Sequence, residues 1–168
     1  MANKTDDNLK EAFAGESQAN RKYLFFAEKA DKEGLPQVAR LFRAAADAET
    51  VHAKNHLNAL NGVGSTEENL VAAAEGELHE FTSMYPPFIE EAETEGNAKA
   101  KRTFEYANAV EKVHHGHFEA ALKAVKEGTA IKEEPYYVCQ VCGYTAAGKA
   151  PDKCPVCGAL AKSFKQID

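Results

Sequence analysis

The strongest constraint on this chain is a set of charged side chains standing where apolar ones belong. Four stretches carry apolar residues three and four apart, the period of one helical face. Residues 4–33 place Leu9, Phe13, Tyr23, Ala27 and Ala30 on such a face. Residues 36–61 place Val38, Leu41, Phe42, Ala45 and Leu60 there, with Leu70, Ala74, Phe81, Met84 and Phe88 in the third stretch and Phe104, Phe118, Leu122 and Val125 in the fourth. In the middle of each face the pattern yields to Glu or His: Glu16, then Glu49 and His52, then Glu77 and Glu80, then Glu111 and His114. Carboxylates seldom occupy a core-facing stripe unless a cation or a partner compensates them.

Two of these groups read Glu-x-x-His, Glu49–His52 and Glu111–His114. Residues i and i+3 share one helical face, so each pair can reach the same ion. Carboxylates from four helices with two such histidines form the donor set of a di-iron or di-manganese centre in a bundle core. On that reading Glu16 and Glu77 are terminal ligands, Glu49 and Glu111 bridge, and His52 and His114 supply nitrogen. Mixed carboxylate and imidazole donors suit iron or manganese better than a soft metal. Taken singly, each residue reads as a surface glutamate or a core histidine; recurrence on four successive stripes separates the two readings. His56, His79, His115 and His117 sit off the shared face or a turn away and read as structural or exposed.

The breaks between stretches carry turn chemistry. Gly34 before Pro36, Gly62 with Gly64, Gly96-Asn97 and Gly128 end helices, and Ser65-Thr66-Glu67-Glu68 has the form of a capped start. Pro86-Pro87 predicts a kink or break. Helices of this length run roughly 40 Å at 1.5 Å per residue. The segment from Gly62 to Thr66 is too short to cross such a bundle, so the pattern favours up-and-down order unless residues 62–76 are partly unwound.

From Tyr136 the helical period stops. Cys139-x-x-Cys142-Gly and Cys154-x-x-Cys157-Gly, with eleven residues between Cys142 and Cys154, hold all four cysteines of the chain. Four thiolates so spaced make a tetrahedral metal site, iron or zinc alike on spacing alone. About 30 residues need such a staple to fold. The expected domains are 1–131, a four-helix bundle, and 132–168, a four-cysteine module beyond the polar Lys126–Pro135 linker. With 168 residues, 44% hydrophobic, 27% charged and net charge −6, the composition is that of a soluble globular protein with little electrostatic support for nucleic-acid binding. No apolar run nears the ~20 residues of a membrane span, and Met1–Asp7 lacks the apolar core of a signal peptide, so a cytoplasmic location is expected.

Ala14-Gly15-Glu16-Ser17-Gln18-Ala19-Asn20-Arg21-Lys22-Tyr23, the two Glu-x-x-His pairs, Glu77-x-x-Glu80 and the terminal four-cysteine module together resemble the rubrerythrin family across essentially the whole chain. The resemblance implies a mainly α fold, a ferritin-like four-helix bundle followed by a small rubredoxin-like module, with a long helix 2–3 crossover that leaves residues 62–76 less helical. It implies three iron ions per chain: a di-iron site on Glu16, Glu49, His52, Glu77, Glu80, Glu111 and His114, and one iron on Cys139, Cys142, Cys154 and Cys157, with zinc or manganese able to substitute. Glu80 and His52 match the family's pair that exchanges on one iron with oxidation state. Tyr23 and Tyr85 match tyrosines that hydrogen-bond ligand carboxylates, whereas His79 stands where the family has an aromatic residue. The implied activity is an oxidoreductase, a peroxidase reducing hydrogen peroxide to water in oxidative-stress protection. The implied electron donor is rubredoxin or an NAD(P)H-dependent reductase. A homodimer is expected, with domain swapping one arrangement open to it, because the short linker lets a module serve the di-iron site of a second subunit. The alternative is a ferritin-like ferroxidase with a structural four-cysteine ribbon.

Overall fold

A computed structural model describes residues 4–167. Met1–Asn3 and Asp168 lie outside the described residues, and with them the extreme ends of both expected domains and the start of the stretch read for a signal peptide. The described chain is mainly helical with a three-stranded sheet near its C-terminal end. It divides into two compact units, Met1–Gly64 and Ser65–Asp168. The change from helix to sheet near residue 131 therefore falls inside the second unit.

The N-terminal unit is a hairpin of α1 (Lys4–Lys32) and α2 (Pro36–Ala59). Asp6 and Asp7 open α1, and Lys29 and Lys32 close it, each sign opposing the helix dipole. Gly34 takes φ +73°, a left-handed conformation that costs other residues, and Leu35 N–H returns to Ala30 O at 2.9 Å. Pro36 then starts α2, where its missing N–H costs nothing. The helices meet through Ala27, Ala30 and Ala39, with Phe42 against them; small side chains allow the close approach. The Asn20 amide reaches across to Ala46 O at 2.7 Å and Thr50 Oγ1 at 2.9 Å. Large apolar side chains such as Phe25 (63% exposed) and Leu41 (68%) remain on the surface.

The C-terminal unit begins with α3 (Thr66–His79). Ser65 and Glu68 make a reciprocal capping box, Ser65 N–H donating to Glu68 Oε2 at 2.7 Å and Glu68 N–H to Ser65 Oγ at 3.3 Å. This corrects the expectation that residues 62–76 are less helical: the helix is regular from Thr66, because the cap satisfies its first orphan donors. A π-helical turn, Glu80–Met84, follows, and then α4 (Tyr85–Thr94). The break predicted from Pro86-Pro87 thus lies just ahead of the prolines. With no N–H on Pro86 or Pro87, the carbonyls one turn earlier lose their partners, and Tyr85 N–H bonds instead to Glu80 O, five residues back.

Helix α5 (Ala98–Glu127) starts at Asn97, whose side chain accepts from Ala100 N–H at 3.1 Å, and ends at left-handed Gly128 (φ +62°). It packs along α3, the π-turn and α4. Tyr85, Phe88 and Phe104 cluster between α4 and α5, with centroids 5.6 to 6.4 Å apart. His115 Nδ1–H donates to Ala74 O at 2.9 Å, tying α5 to α3.

After residues 128–135, which have no regular structure, come β1 (Tyr136–Cys139), β2 (Thr145–Ala147) and β3 (Phe164–Ile167). The antiparallel sheet runs β2-β1-β3, with Tyr137 opposite both Ala146 and Gln166. β2 lies against α5. There Gly143 (φ +86°) brings the Cys142 loop down onto Val110: a Cβ at this glycine would stand 3.7 Å from Val110 Cγ1. Val110 and Cys139 are the largest fully buried side chains described. No described helix is long and apolar enough to cross a membrane.

Candidate metal centres

Among the described residues three donor clusters emerge, and each lies within one unit. In the N-terminal unit, Glu16 of α1 meets Glu49 and His52 of α2. His52 Nδ1 lies 2.8 Å from Glu49 Oε2 and 3.8 Å from Glu16 Oε1. In the C-terminal unit, Glu77 of α3 meets Glu111 and His114 of α5. His114 Nδ1 lies 2.7 Å from Glu111 Oε2 and 3.8 Å from Glu77 Oε1. The i, i+3 spacing brings each Glu and His together, and the packed neighbouring helix adds the third donor. All three donor atoms of each cluster lie within 4.8 Å of one another.

The electrostatics of the second cluster show groups held short of a compensating charge. Glu77 is pushed up to about 7, first by burial, then by the charge of Glu111 and a hydrogen bond to it. Burial and Glu111 also raise Glu80, on the π-turn one helical turn beyond Glu77. Tyr85 is raised by burial and by the charges of Glu80, Glu111 and Glu77, which places the phenol in the field of all three carboxylates. His114 is raised by its hydrogen bond to Glu111, against the effect of burial. Tyr23 packs against Phe26 and Phe42, with centroids 6.3 and 6.2 Å away.

Three carboxylates gathered around one imidazole need a cation, either protons or a metal ion. Nδ1 of His114 faces a carboxylate oxygen at 2.7 Å, and His52 repeats the arrangement. A neutral lone pair there would be repelled, so the position calls for a proton or a metal. Hard oxygen donors with one imidazole nitrogen fit iron.

The third cluster is Cys139, Cys142, Cys154 and Cys157. All four are free thiols, with Cys139 and Cys154 buried. Sγ atoms of Cys139 and Cys157 are 3.6 Å apart and those of Cys142 and Cys154 3.5 Å. That is too long for a disulfide and close to the roughly 3.8 Å edge of a tetrahedron with metal–sulfur bonds of about 2.3 Å. Burial pushes the Cys142 and Cys157 thiols up. At Cys154 the N–H groups of Cys157 and Val156 outweigh it and bring the thiol down to about 7, while Cys142 stays well above its ordinary value. Backbone donors aimed at sulfur are what a metal-bound thiolate requires.

The structure adds residues that the sequence did not mark. His114 Nε2 lies 2.9 Å from Thr145 Oγ1 at the start of β2, and His117 Nε2–H donates to Thr145 O at 3.2 Å. The local sequence holds no signal for this contact, because 31 residues separate His114 from Thr145. A cleft of about 490 Å³, walled by Leu70, Phe118 and Tyr136, opens beside Glu77, His114 and Thr145. His115 and His117 serve as packing and hydrogen-bonding residues, in keeping with positions off the shared face or a turn away.

Known proteins match both the geometry and its order along the chain. The rubrerythrin family profile covers residues 7–122, and the profile for the rubrerythrin rubredoxin-like domain covers residues 137–165. Rubrerythrin-2 of Clostridium acetobutylicum is 38% identical over 96% of this chain and 95% of its own length. Rubrerythrin of Porphyromonas gingivalis is 41% identical over 92% of this chain and 85% of its own. Solved structures of nigerythrin in its mixed-valence and fully reduced, all-ferrous states match with TM-scores of 0.58 and 0.59, at 35% and 34% identity. Both cover 99% of this chain and 88% of theirs. With donor sets that fit iron at both kinds of site, ferritin-like helices and a rubredoxin-like C-terminal module, the chain belongs to the rubrerythrin family.

Proposed function

We propose that this protein reduces hydrogen peroxide to water at a di-iron site, with electrons arriving through iron held by the four thiolates, as protection against oxidative stress in the cytoplasm. The observation that carries this reading is the seating of the four-cysteine module directly on His114. A ribbon that only held its own fold would have no need to sit on a metal-ligating histidine, and iron storage would need no thiolate centre.

In this reading Glu16, Glu49, His52, Glu77, Glu80, Glu111 and His114 would hold two irons. Cys139, Cys142, Cys154 and Cys157 hold a third. Iron bound there would supply the two electrons that, with two protons, take peroxide to two waters. The chain's own groups select and orient. The cleft beside Glu77 and His114 admits a small uncharged oxidant past Leu70 and Phe118. Tyr85 keeps its phenolic proton, held above its ordinary value by burial and the nearby carboxylates, and would offer it to Glu80 or Glu111. Tyr23 takes the corresponding part near Glu16. Glu80 adds an anionic donor that stabilises the more highly charged ions formed on oxidation. Electrons enter from rubredoxin or an NAD(P)H-dependent reductase. The protein works as a homodimer, the exposed Phe25 and Leu41 supplying apolar surface for the second copy.

The test is a stopped-flow comparison on the iron-loaded, anaerobically reduced protein. It is mixed with peroxide in one run and with air-saturated buffer in another, following the visible iron–thiolate band. A band that returns much faster with peroxide supports a peroxidase. Equal rates, or no such band, shift the reading to a ferroxidase with a structural ribbon.

A further inference from the structure

We propose that Thr145 is a positioning residue for the second half-site, and that its hydroxyl sets which nitrogen of His114 faces the metal. The inference rests on the di-iron reading above but concerns a residue from the other metal module. Thr145 Oγ1 lies 3.1 Å from Gly143 O and 2.9 Å from His114 Nε2. A carbonyl only accepts, and Gly143 C=O faces both the Thr145 hydroxyl and His114. In the proposed arrangement the hydroxyl gives its proton to Gly143 and accepts from Nε2–H. That leaves Nδ1 as the nitrogen directed at Glu111 and Glu77, at 2.7 and 3.8 Å. The relay His114 Nε2–H to Thr145 O–H to Gly143 C=O ends one residue from Cys142. The loop that holds one metal thereby fixes a ligand of the other.

The hydroxyl is itself held in place. His117, one turn along the same face of α5, grips the Thr145 backbone carbonyl at 3.2 Å, and Gly143 rests on Val110. A fixed partner on the outer nitrogen of a ligating histidine sets ring orientation and raises its basicity, and losing such a partner typically costs 10–100-fold in metal affinity. His52 has no such partner among its described contacts, which makes it the internal control.

Thr145→Val removes the hydroxyl and keeps the shape; Thr145→Ser keeps the hydroxyl. Both are compared with the parent as full-length protein by two measurements. With the thiolate site filled by zinc, Mn²⁺ is titrated as a hard-metal probe of the carboxylate clusters. In the fully zinc-loaded form, nitrogen-15 NMR follows solvent exchange of the histidine Nε2–H groups. Expected are a slowly exchanging His114 Nε2–H in the parent and the serine variant, its loss in the valine variant, and Mn²⁺ binding weakened roughly tenfold by valine but under about twofold by serine. A parent protein without a protected His114 Nε2–H overturns the proposal even if the valine variant does not fold. So does a valine variant with parental Mn²⁺ affinity, or a serine variant as weak as valine. Neither measurement uses peroxide, so a failed peroxidase reading leaves them unchanged, and their failure leaves peroxide turnover standing.

Discussion

The two Glu-x-x-His clusters share one geometry and differ in surroundings. His52 and His114 stand 2.8 and 2.7 Å from their own glutamate and 3.8 Å from the carboxylate of the neighbouring helix. Yet the His52 side chain is 53% exposed and that of His114 27%. The second half-site also has Glu80 three residues after Glu77, where the first has Ala19 three after Glu16. It has the phenol of Tyr85 in its field and the thiolate module on its histidine. A helical motif fixes the spacing of the donors. The elements packed around it decide how much each donor must be compensated, and by what.

The largest effect expected from testing this contrast is metal removal. Stripping the thiolate metal should unfold the β module, because binding free energy of roughly 10 kcal/mol or more is folding free energy in such small sites. Amide exchange should rise over residues 136–167 while the helical circular dichroism signal persists. NMR should show the His114 environment changing and that of His52 unmoved; equal change at both would erase the distinction.

Next in size is Glu80→Ala, which makes the second half-site resemble the first. Peroxide turnover should fall about 10–100-fold with iron content little altered. Equal losses of iron and rate would make Glu80 an ordinary ligand.

The metal-free protein should also show a pH signature of the second half-site. Glu77 titrates near 7 when folded against 4.5 as a free carboxyl. The folded state holds that proton more tightly than the unfolded chain. The resulting stability is present below about pH 4.5 and lost as pH rises through about 7. Allowing for partial solvent contact, the loss should be on the order of 2 kcal/mol, measured by urea denaturation. Glu77→Gln should flatten the profile, and Glu16→Gln should leave it in place.

The smallest effect tests the cross-ties. Asn20→Leu removes the amide that joins α1 to α2 and should cost about 1 kcal/mol. The matching tie in the other unit, His115 to Ala74 O, should be worth a similar amount in His115→Leu.

Much of this was legible residue by residue. The turns at Gly34, Gly96 and Gly128 stand where the glycines said, because their φ values of +73°, +68° and +62° exclude most other residues. Each i, i+3 pair met because helix geometry is local. The four cysteines converged because two tight turns can bring four sulfurs to one point. The form of the break near Pro86 was less legible: the missing donors are visible in the sequence, but the π-turn that answers them depends on packing against α5. The capping box at Ser65 was plain, and it prevailed over the looser helix that family resemblance suggested for residues 62–76.

The amino-acid sequence by itself determined the donor identities, their spacing and the helical rods that carry them, since these follow from backbone periodicity and side-chain chemistry within a few residues. Tertiary structure alone decided that Thr145 meets His114, that Gly143 rests on Val110 and that Glu77 is driven up by burial and by Glu111. Those contacts join residues tens of positions apart, and their energies depend on burial and distance, which only the packed chain supplies.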